Sequence, residues 1–253
     1  MKSVRRILLL LILSAILLQL FFTLKVAMMT MIAPQSTSFQ RSEIWRIVLQ
    51  QGRLPWRQEW VSYSNISMSL KRAVIASEDG DFVNHDGIEW EALEQAWQKN
   101  AKAQDVADQK QKKASIGKVP STGSNIVVKA PKIIGGSTIS QQLAKNLLLS
   151  GERTLLRKGQ EFLLTQLLEV MLSKQRILEI YLNSVEWGEG IFGAEAAAQH
   201  YFRKSAKQLT SYEAARLAVM LPRPKYFEKL SASGYLTNRA TLIVARMNDA
   251  EVP

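Results

Sequence analysis

The chain has 253 residues, a formal net charge of +11, two His and no Cys, which allows one sizeable core, or a small anchor plus one domain. Without Cys there can be no disulfide, no thiolate metal site and no thiol nucleophile. The positive balance points to an anionic partner, whether nucleic acid, acidic lipid head groups or a phosphorylated substrate.

Residues 1–34 read as a cytoplasmic N-terminus and a transmembrane anchor. Lys2, Arg5 and Arg6 precede an apolar, charge-free run from Ile7 to Leu24, and after Lys25 the chain is apolar again to Ala33. A spanning helix needs about 20 mostly apolar residues, and a Lys near its end can snorkel to the interface. A cleaved signal peptide would have a shorter apolar region and an Ala-x-Ala-like site; Met28, Met29 and Met31 follow here instead, so an uncleaved anchor is expected. Basic residues on the short side predict that this side stays in the cytoplasm and the rest lies across the membrane. That topology removes nucleic acid as a partner and keeps membrane lipids and a phosphorylated substrate.

Residues 35–59 form a juxtamembrane segment, opened by a polar, Ser-rich joint to about Ser42. Trp45, Trp56 and Trp60 stand among Arg and Gln, as interface anchors or as core residues. From Ile66 a helix with Leu70, Ala73 and Val74 on its apolar side runs into Ser77-Glu78-Asp79-Gly80-Asp81-Phe82-Val83-Asn84-His85-Asp86-Gly87. A helix ending there aims its negative dipole end at Glu78, and Asp79 adds a like charge. Both raise the carboxyl pKa, as a general base working near neutrality requires. A solvated helix end with a polar turn has the same residues.

Ile88, Leu93 and Trp97 predict a further helix. The segment from Asn100 to Lys132, rich in Lys, Gln, Ala and Ser, has Ile126-Val127-Val128 as its apolar cluster and is expected to be a poorly ordered insertion, either a lid or plain solvated chain. Gly135-Gly136-Ser137-Thr138 then leads into a helix with Ile139, Leu143 and Leu147 on one side and Thr138, Gln141 and Lys145 on the other. Free N–H groups at its start, with Lys145 two turns on, would suit a phosphate; a tight turn before a helix is the plainer alternative. Arg153, Arg157 and Glu161 fall on one helix face with Lys158 beside them, either a cationic strip for a diphosphate or an ordinary surface ion pair.

Helical spacing resumes at Ile177, Leu178, Tyr181 and Leu182. A Gly-rich turn, Trp187-Gly188-Glu189-Gly190-Ile191-Phe192-Gly193, an Ala-rich helix to Tyr201-Phe202, and a helix over Ser211 to Met220 ended by Pro222 and Pro224 complete the chain. Strand signals are scarce, so the chain is expected to be mainly α. No His pair has metal-ligand spacing and no nucleotide-binding glycine fingerprint is present.

In this order the motifs resemble the peptidoglycan glycosyltransferases, glycosyltransferase family 51, in particular its monofunctional branch. The matching residues are Glu78-Asp79, Phe82, His85 and Gly87; Gly135-Gly136-Ser137-Thr138, Gln141-Gln142 and Lys145-Asn146; Arg157-Lys158 and Glu161; Ile177-Leu178-Glu179, Tyr181-Leu182-Asn183; and Gly188, Gly190 and Gly193. Trp60-Val61-Ser62-Tyr63 and Leu221-Pro222-Arg223-Pro224 extend the likeness to about Trp60–Phe227. Ser140 replaces the family's usual Thr, and Glu89 stands where Asp is common.

The resemblance implies a lysozyme-like, two-lobed glycosyltransferase domain over 60–253 behind a single transmembrane helix. Its substrate would be lipid II, with the growing glycan chain as donor and undecaprenyl diphosphate as leaving group. Glu78 matches the family's catalytic base and Glu161 its second glutamate; Asp79, His85, Ser137, Thr138, Gln141, Gln142, Lys145, Asn146, Arg153, Arg157 and Lys158 form the candidate substrate-binding set. The sequence requires no cofactor, and a Mg²⁺ or Mn²⁺ on the substrate diphosphate is compatible with it. Proteins of the division or elongation machinery are candidate partners at the membrane. Ser115-Ile116-Gly117-Lys118 fits Ser-x-x-Lys without a following Lys-Thr-Gly, so glycan polymerisation without cross-linking is expected. A glycan-cleaving muramidase would need a carboxylic acid donor but no cationic diphosphate site, and a non-catalytic scaffold would tolerate loss of Glu78.

Overall fold

The computed structural model describes residues 2–116, 136–149 and 154–253. The chain divides into two compact units, one formed by Met1–Gly87 with Thr138–Pro253 and the other by Ile88–Ser137.

Helix α1, Lys2–Met29, begins the larger unit. It is long and apolar enough to cross a membrane, at about 42 Å for its length. Its last turns leave that role: Phe22, Val26 and Met29 are buried in the core of the larger unit. Arg176 Nε donates to the Met29 carbonyl at 2.8 Å, satisfying one of the acceptors that a helix end leaves open.

Helix α2, Ser38–Gln51, starts inside the stretch whose composition suggested a joint to Ser42. The local chemistry explains the earlier start. Thr37 and Gln40 form a reciprocal capping box, a strong helix-initiating signal that outweighs Ser-rich composition. The three tryptophans separate in role. Trp45 on α2 is 69% exposed, Trp56 stacks on Phe192 with centroids 4.5 Å apart, and Trp60 packs on the core beneath Arg176.

A short strand β1, Arg57–Gln58, precedes α3, Met68–Glu78. The Ser67 side chain caps α3 by accepting from Leu70 N. Leu70, Ala73, Val74 and Ile75 are fully buried against two helices introduced below, α9 and α11. Each large aliphatic side chain there contributes roughly 1.5–3 kcal/mol, and Leu70→Ala would cost about 2–5 kcal/mol.

In the smaller unit α4, Trp90–Ile116, runs well past Trp97 into the segment that composition marked as poorly ordered. Ala, Lys, Gln and Glu are strong helix formers; the lack of an apolar stripe denies the segment a packing face without denying it a helix. The remainder of the predicted insertion, from 117, lies outside the described residues.

The larger unit resumes with α5, Ile139–Leu148, α6, Leu155–Met171, and α7, Lys174–Ser184. Strands β2, Glu186–Gly188, and β3, Ile191–Phe192, follow. The three strands form a small sheet in the order β1-β3-β2, with β3 parallel to β1 and antiparallel to β2. Arg57 lies opposite Ile191 and Gln58 opposite Phe192. Gly190, at φ +71°, permits this approach, since a Cβ there would lie 1.9 Å from the Pro55 carbonyl oxygen. Helices α8, Ala194–Phe202, α9, Ser211–Met220, α10, Pro224–Glu228, and α11, Gly234–Arg246, complete the unit. Pro224 opens α10 at its first turn, where the missing N–H costs nothing. Its core is therefore helical and includes α3, α5, α7, α8, α9 and α11.

The sequence run Glu179 to Asn183 acts as a clamp. Asn183 Oδ1 accepts from Val61 N and its Nδ2 donates to Val61 O, while Glu179 Oε1 accepts from Tyr63 N. These bonds tie the chain before α3 to α7 and so fix where α3 ends.

Candidate active site

Glu78 is the last residue of α3, as its sequence setting requires. Its Oε2 accepts a hydrogen bond of 3.0 Å from Gln142 Nε2 on α5. The Glu78 pKa is raised, first by burial and then by the neighbouring Asp79 charge, with the Gln142 bond acting in the opposite direction. Like charge thus contributes as the sequence suggests, but desolvation is the larger cause.

Asp79 is 3% exposed and is fully engaged. Its Oδ1 lies 2.8 Å from His85 Nε2, and its Oδ2 accepts from Ile139 N at 2.8 Å. His85 Nδ1 accepts from Gly87 N at 3.0 Å, which leaves Nε2 to carry the proton towards Asp79. Burial disfavours the imidazolium, but the hydrogen bond and charge of Asp79 prevail and raise the His85 pKa.

Most of the N–H groups at the start of α5 are taken within the protein. Ile139 N is taken by Asp79, Gln141 N by Thr138 Oγ1 and Gln142 N by the Thr138 carbonyl. Thr138 and Gln141 are both buried and form a reciprocal capping box; Thr138 Oγ1 also donates to the Gly87 carbonyl at 2.6 Å. The two residues that spacing assigned to a ligand-facing side are spent on starting the helix. The face of α5 left outside the core carries Gln142, Lys145 and Asn146. Ser137 is exposed and ends the smaller unit.

On α6 the carboxylate of Glu161 is buried and meets two cations, Lys158 Nζ at 2.5 Å and Arg157 Nη1 at 3.4 Å. Arg157 Nε is buried without a hydrogen-bond partner among the described residues. The predicted Arg157–Lys158–Glu161 grouping is thus real. Arg153, its fourth member, lies outside the described residues.

Two supporting residues, Glu169 and Lys174, escaped sequence reasoning, and Tyr181 figured in it without a role. Glu169 Oε1 accepts from Ser140 Oγ at 2.5 Å and from Lys174 Nζ at 2.9 Å, and Lys174 Nζ also reaches the His85 carbonyl at 2.5 Å. Tyr181 OH donates to Gln142 Oε1 at 3.0 Å. Only the i, i+5 spacing of Glu169 and Lys174 across a helix break was visible, and it does not reveal a shared site. Gly87, at φ +83°, completes the arrangement: a Cβ there would sit 2.8 Å from Glu169 Cγ and 2.8 Å from Thr165 Cγ2.

No group of three or more His, Asp or Glu side chains among the described residues could hold a metal ion, and Asp79, the carboxylate beside Glu78, has both oxygens committed. A cavity of about 400 Å³ is lined by Arg46, Gln51, Glu189, Lys225, Glu228 and Lys229, away from Glu78. Two of its cations are already neutralised, Arg46 by Glu43 and Glu189, and Lys225 by Glu43 and Glu186.

Glu78 thus ends α3 as a buried carboxyl with a raised pKa, Lys145 stands on the exposed face of α5, and Arg157 and Lys158 stand on α6 beside Glu161. A transglycosylase family model matches residues 47–110 and 119–248. The biosynthetic peptidoglycan transglycosylase of Burkholderia thailandensis is 48% identical over 93% of this chain and 82% of its own length. That of Herminiimonas arsenicoxydans is 46% identical over 100% of both chains, and that of Cupriavidus metallidurans is 46% identical over 96% and 95%. With this match and these identities, the chain belongs to the transglycosylase family and has its lysozyme-like glycosyltransferase fold.

Proposed function

We propose that this protein polymerises peptidoglycan glycan strands from lipid II. Glu78 takes the proton from the 4-hydroxyl of the acceptor N-acetylglucosamine. That oxygen attacks the anomeric carbon of the donor, the growing chain, as the bond to the diphosphate breaks. The configuration inverts, a β-1,4 bond forms, and undecaprenyl diphosphate leaves with the electron pair. The observation that carries this reading is the Glu78 carboxyl itself: it ends a helix, takes a hydrogen bond from Gln142, and has a pKa raised by burial and Asp79. A base poised nearer the working pH transfers protons more effectively.

The departing diphosphate accumulates negative charge, which fixed cations stabilise most when they are held before the reaction begins. Lys145 on the outward face of α5, and Arg157 and Lys158 on α6, are suited to this role, as is Arg153 by its position in the sequence. Glu161 holds Arg157 and Lys158 in place, so its role is to orient cations and the donor. A Mg²⁺ or Mn²⁺ on the substrate diphosphate is compatible with this reading.

Membrane placement follows the same chemistry, because donor and acceptor are both attached to lipid. Lys2, Arg5 and Arg6 favour a cytoplasmic N-terminus, with the domain on the periplasmic side of the inner membrane. Polymerisation of labelled lipid II by the full chain, wild type beside Glu78→Gln, tests the proposal. Wild type should form long glycan and the variant should form essentially none. Undiminished polymer from the variant would refute it.

A further inference from the structure

We propose that Tyr181 is a positioning residue for the general base: through Gln142 it fixes which end of an amide faces Glu78. This rests on the reading of Glu78 as the base. An ionised carboxylate only accepts hydrogen bonds, so the Gln142 group facing Glu78 must be the NH₂, at 3.0 Å. The Gln142 carbonyl must then point away, and there it accepts from Tyr181 OH at 3.0 Å. The three side chains form one directional chain, phenol to amide to carboxylate.

The chain crosses three separate elements. Glu78 ends α3, Gln142 lies on the outward face of α5, and Tyr181 is in the last turn of α7. Tyr181 is 1% exposed, so its ring has no freedom to follow a moving partner, and the hydroxyl is a stationary donor. Tyr181 also stays protonated: burial and the nearby charges of Glu78 and Asp79 raise its pKa well above the ordinary phenol value. Burial apart, the charge that raises the Glu78 pKa is that of Asp79 on its own loop, while hydrogen bonds from Gln142 and Ser77 lower it; Tyr181 from α7 feels the charges of both carboxylates. Without the phenol, the inner carbonyl of Gln142 loses a donor. An amide turned the other way would set its oxygen against Glu78, and a repelled carboxylate holds its proton more tightly.

The test is the pH dependence of kcat/KM for lipid II polymerisation by the full chain in detergent. The acid limb, where Glu78 must ionise, should move up by about one pH unit in Tyr181→Phe. Activity would then fall about tenfold below the limb and converge on wild type above it. A merely structural role would lower activity by one factor at all pH values. Gln142→Leu, which removes the same donor from Glu78, should move the limb in the same direction even if Tyr181→Phe fails to fold. Adding Tyr181→Phe to Gln142→Leu should move it no further. An unmoved limb in either single variant, or a second shift in the double variant, overturns the proposal. Glu78→Gln in the same assay separates the two claims. If it is inactive while the limb is unmoved, only the positioning role fails; if it is active, the base assignment falls and the role with it.

Discussion

Asp79→Asn separates the structural and electrostatic roles of the residue beside the proposed base. The wild-type carboxylate accepts two hydrogen bonds, from His85 Nε2 and Ile139 N, each at 2.8 Å. An asparagine can accept only one of them with its oxygen and must present an NH₂ to the other donor. The His85 ring cannot relieve the conflict by moving its proton, because Nδ1 already accepts from Gly87 N. One charge-assisted bond is lost and a buried donor is stranded, at a cost of about 2–4 kcal/mol. For a unit of this size that lowers Tm by roughly 5–12 °C. The same substitution removes the like charge that helps to raise the Glu78 pKa. The acid limb of lipid II polymerisation should therefore move to lower pH, opposite in sign to the shift from Tyr181→Phe. Thermal unfolding in detergent and the pH profile of kcat/KM measure the two effects independently. A variant as stable as wild type, or a limb that moves upward, would refute the reasoning.

Two further predictions concern residues away from the reacting groups. Gly87→Ala must accommodate a Cβ 2.8 Å from Glu169 Cγ and Thr165 Cγ2 at φ +83°, so chemical denaturation should show a loss of about 2–5 kcal/mol; a loss below 1 kcal/mol would mean that the loop shifts at little cost. Glu186 has its carboxyl pushed up to about 7, chiefly by burial, with Lys225 opposing. Its folded pKa exceeds its unfolded value, so the folded state binds more protons between about pH 4.5 and 7, and stability falls across that window by up to about 3 kcal/mol. Glu186→Gln should remove this fall, giving a variant whose Tm advantage over wild type grows from pH 5 to pH 8; a difference that stays flat with pH would exclude Glu186 as the source.

The part of this site legible in the sequence is the part made by neighbours along the chain. The apolar spacing of Leu70, Ala73 and Val74 foretells α3 and its end at Glu78, and Arg157, Lys158 and Glu161 fall together because helical spacing alone brings them there. Thr138 and Gln141 show where periodicity misleads. A helical wheel places both beside Lys145, yet a residue at the cap position and its partner three residues on turn inward to satisfy the helix's own N–H groups. The partners of Asp79 and Glu78 were not legible, because Ile139 and Gln142 come from another helix some 60 residues away. No local pattern encodes such pairings, nor the bonds by which Lys174 ties Glu169 to the loop at His85. Residues 100–116 mislead in the opposite way: composition reports whether a segment can pack, while the backbone follows propensity.

The end of α1 is part of the catalytic unit. Phe22, Val26 and Met29 share the core with α3 and α5, and Gln19 and Gln160 exchange hydrogen bonds of 2.8 and 3.2 Å. The larger unit therefore does not swing from α1 on a loose tether; in the membrane placement proposed above, Glu78 would be held at one height above the lipid. A version trimmed at residue 34 for solubility would expose an oily scar where those three side chains had been, and would tend to clump.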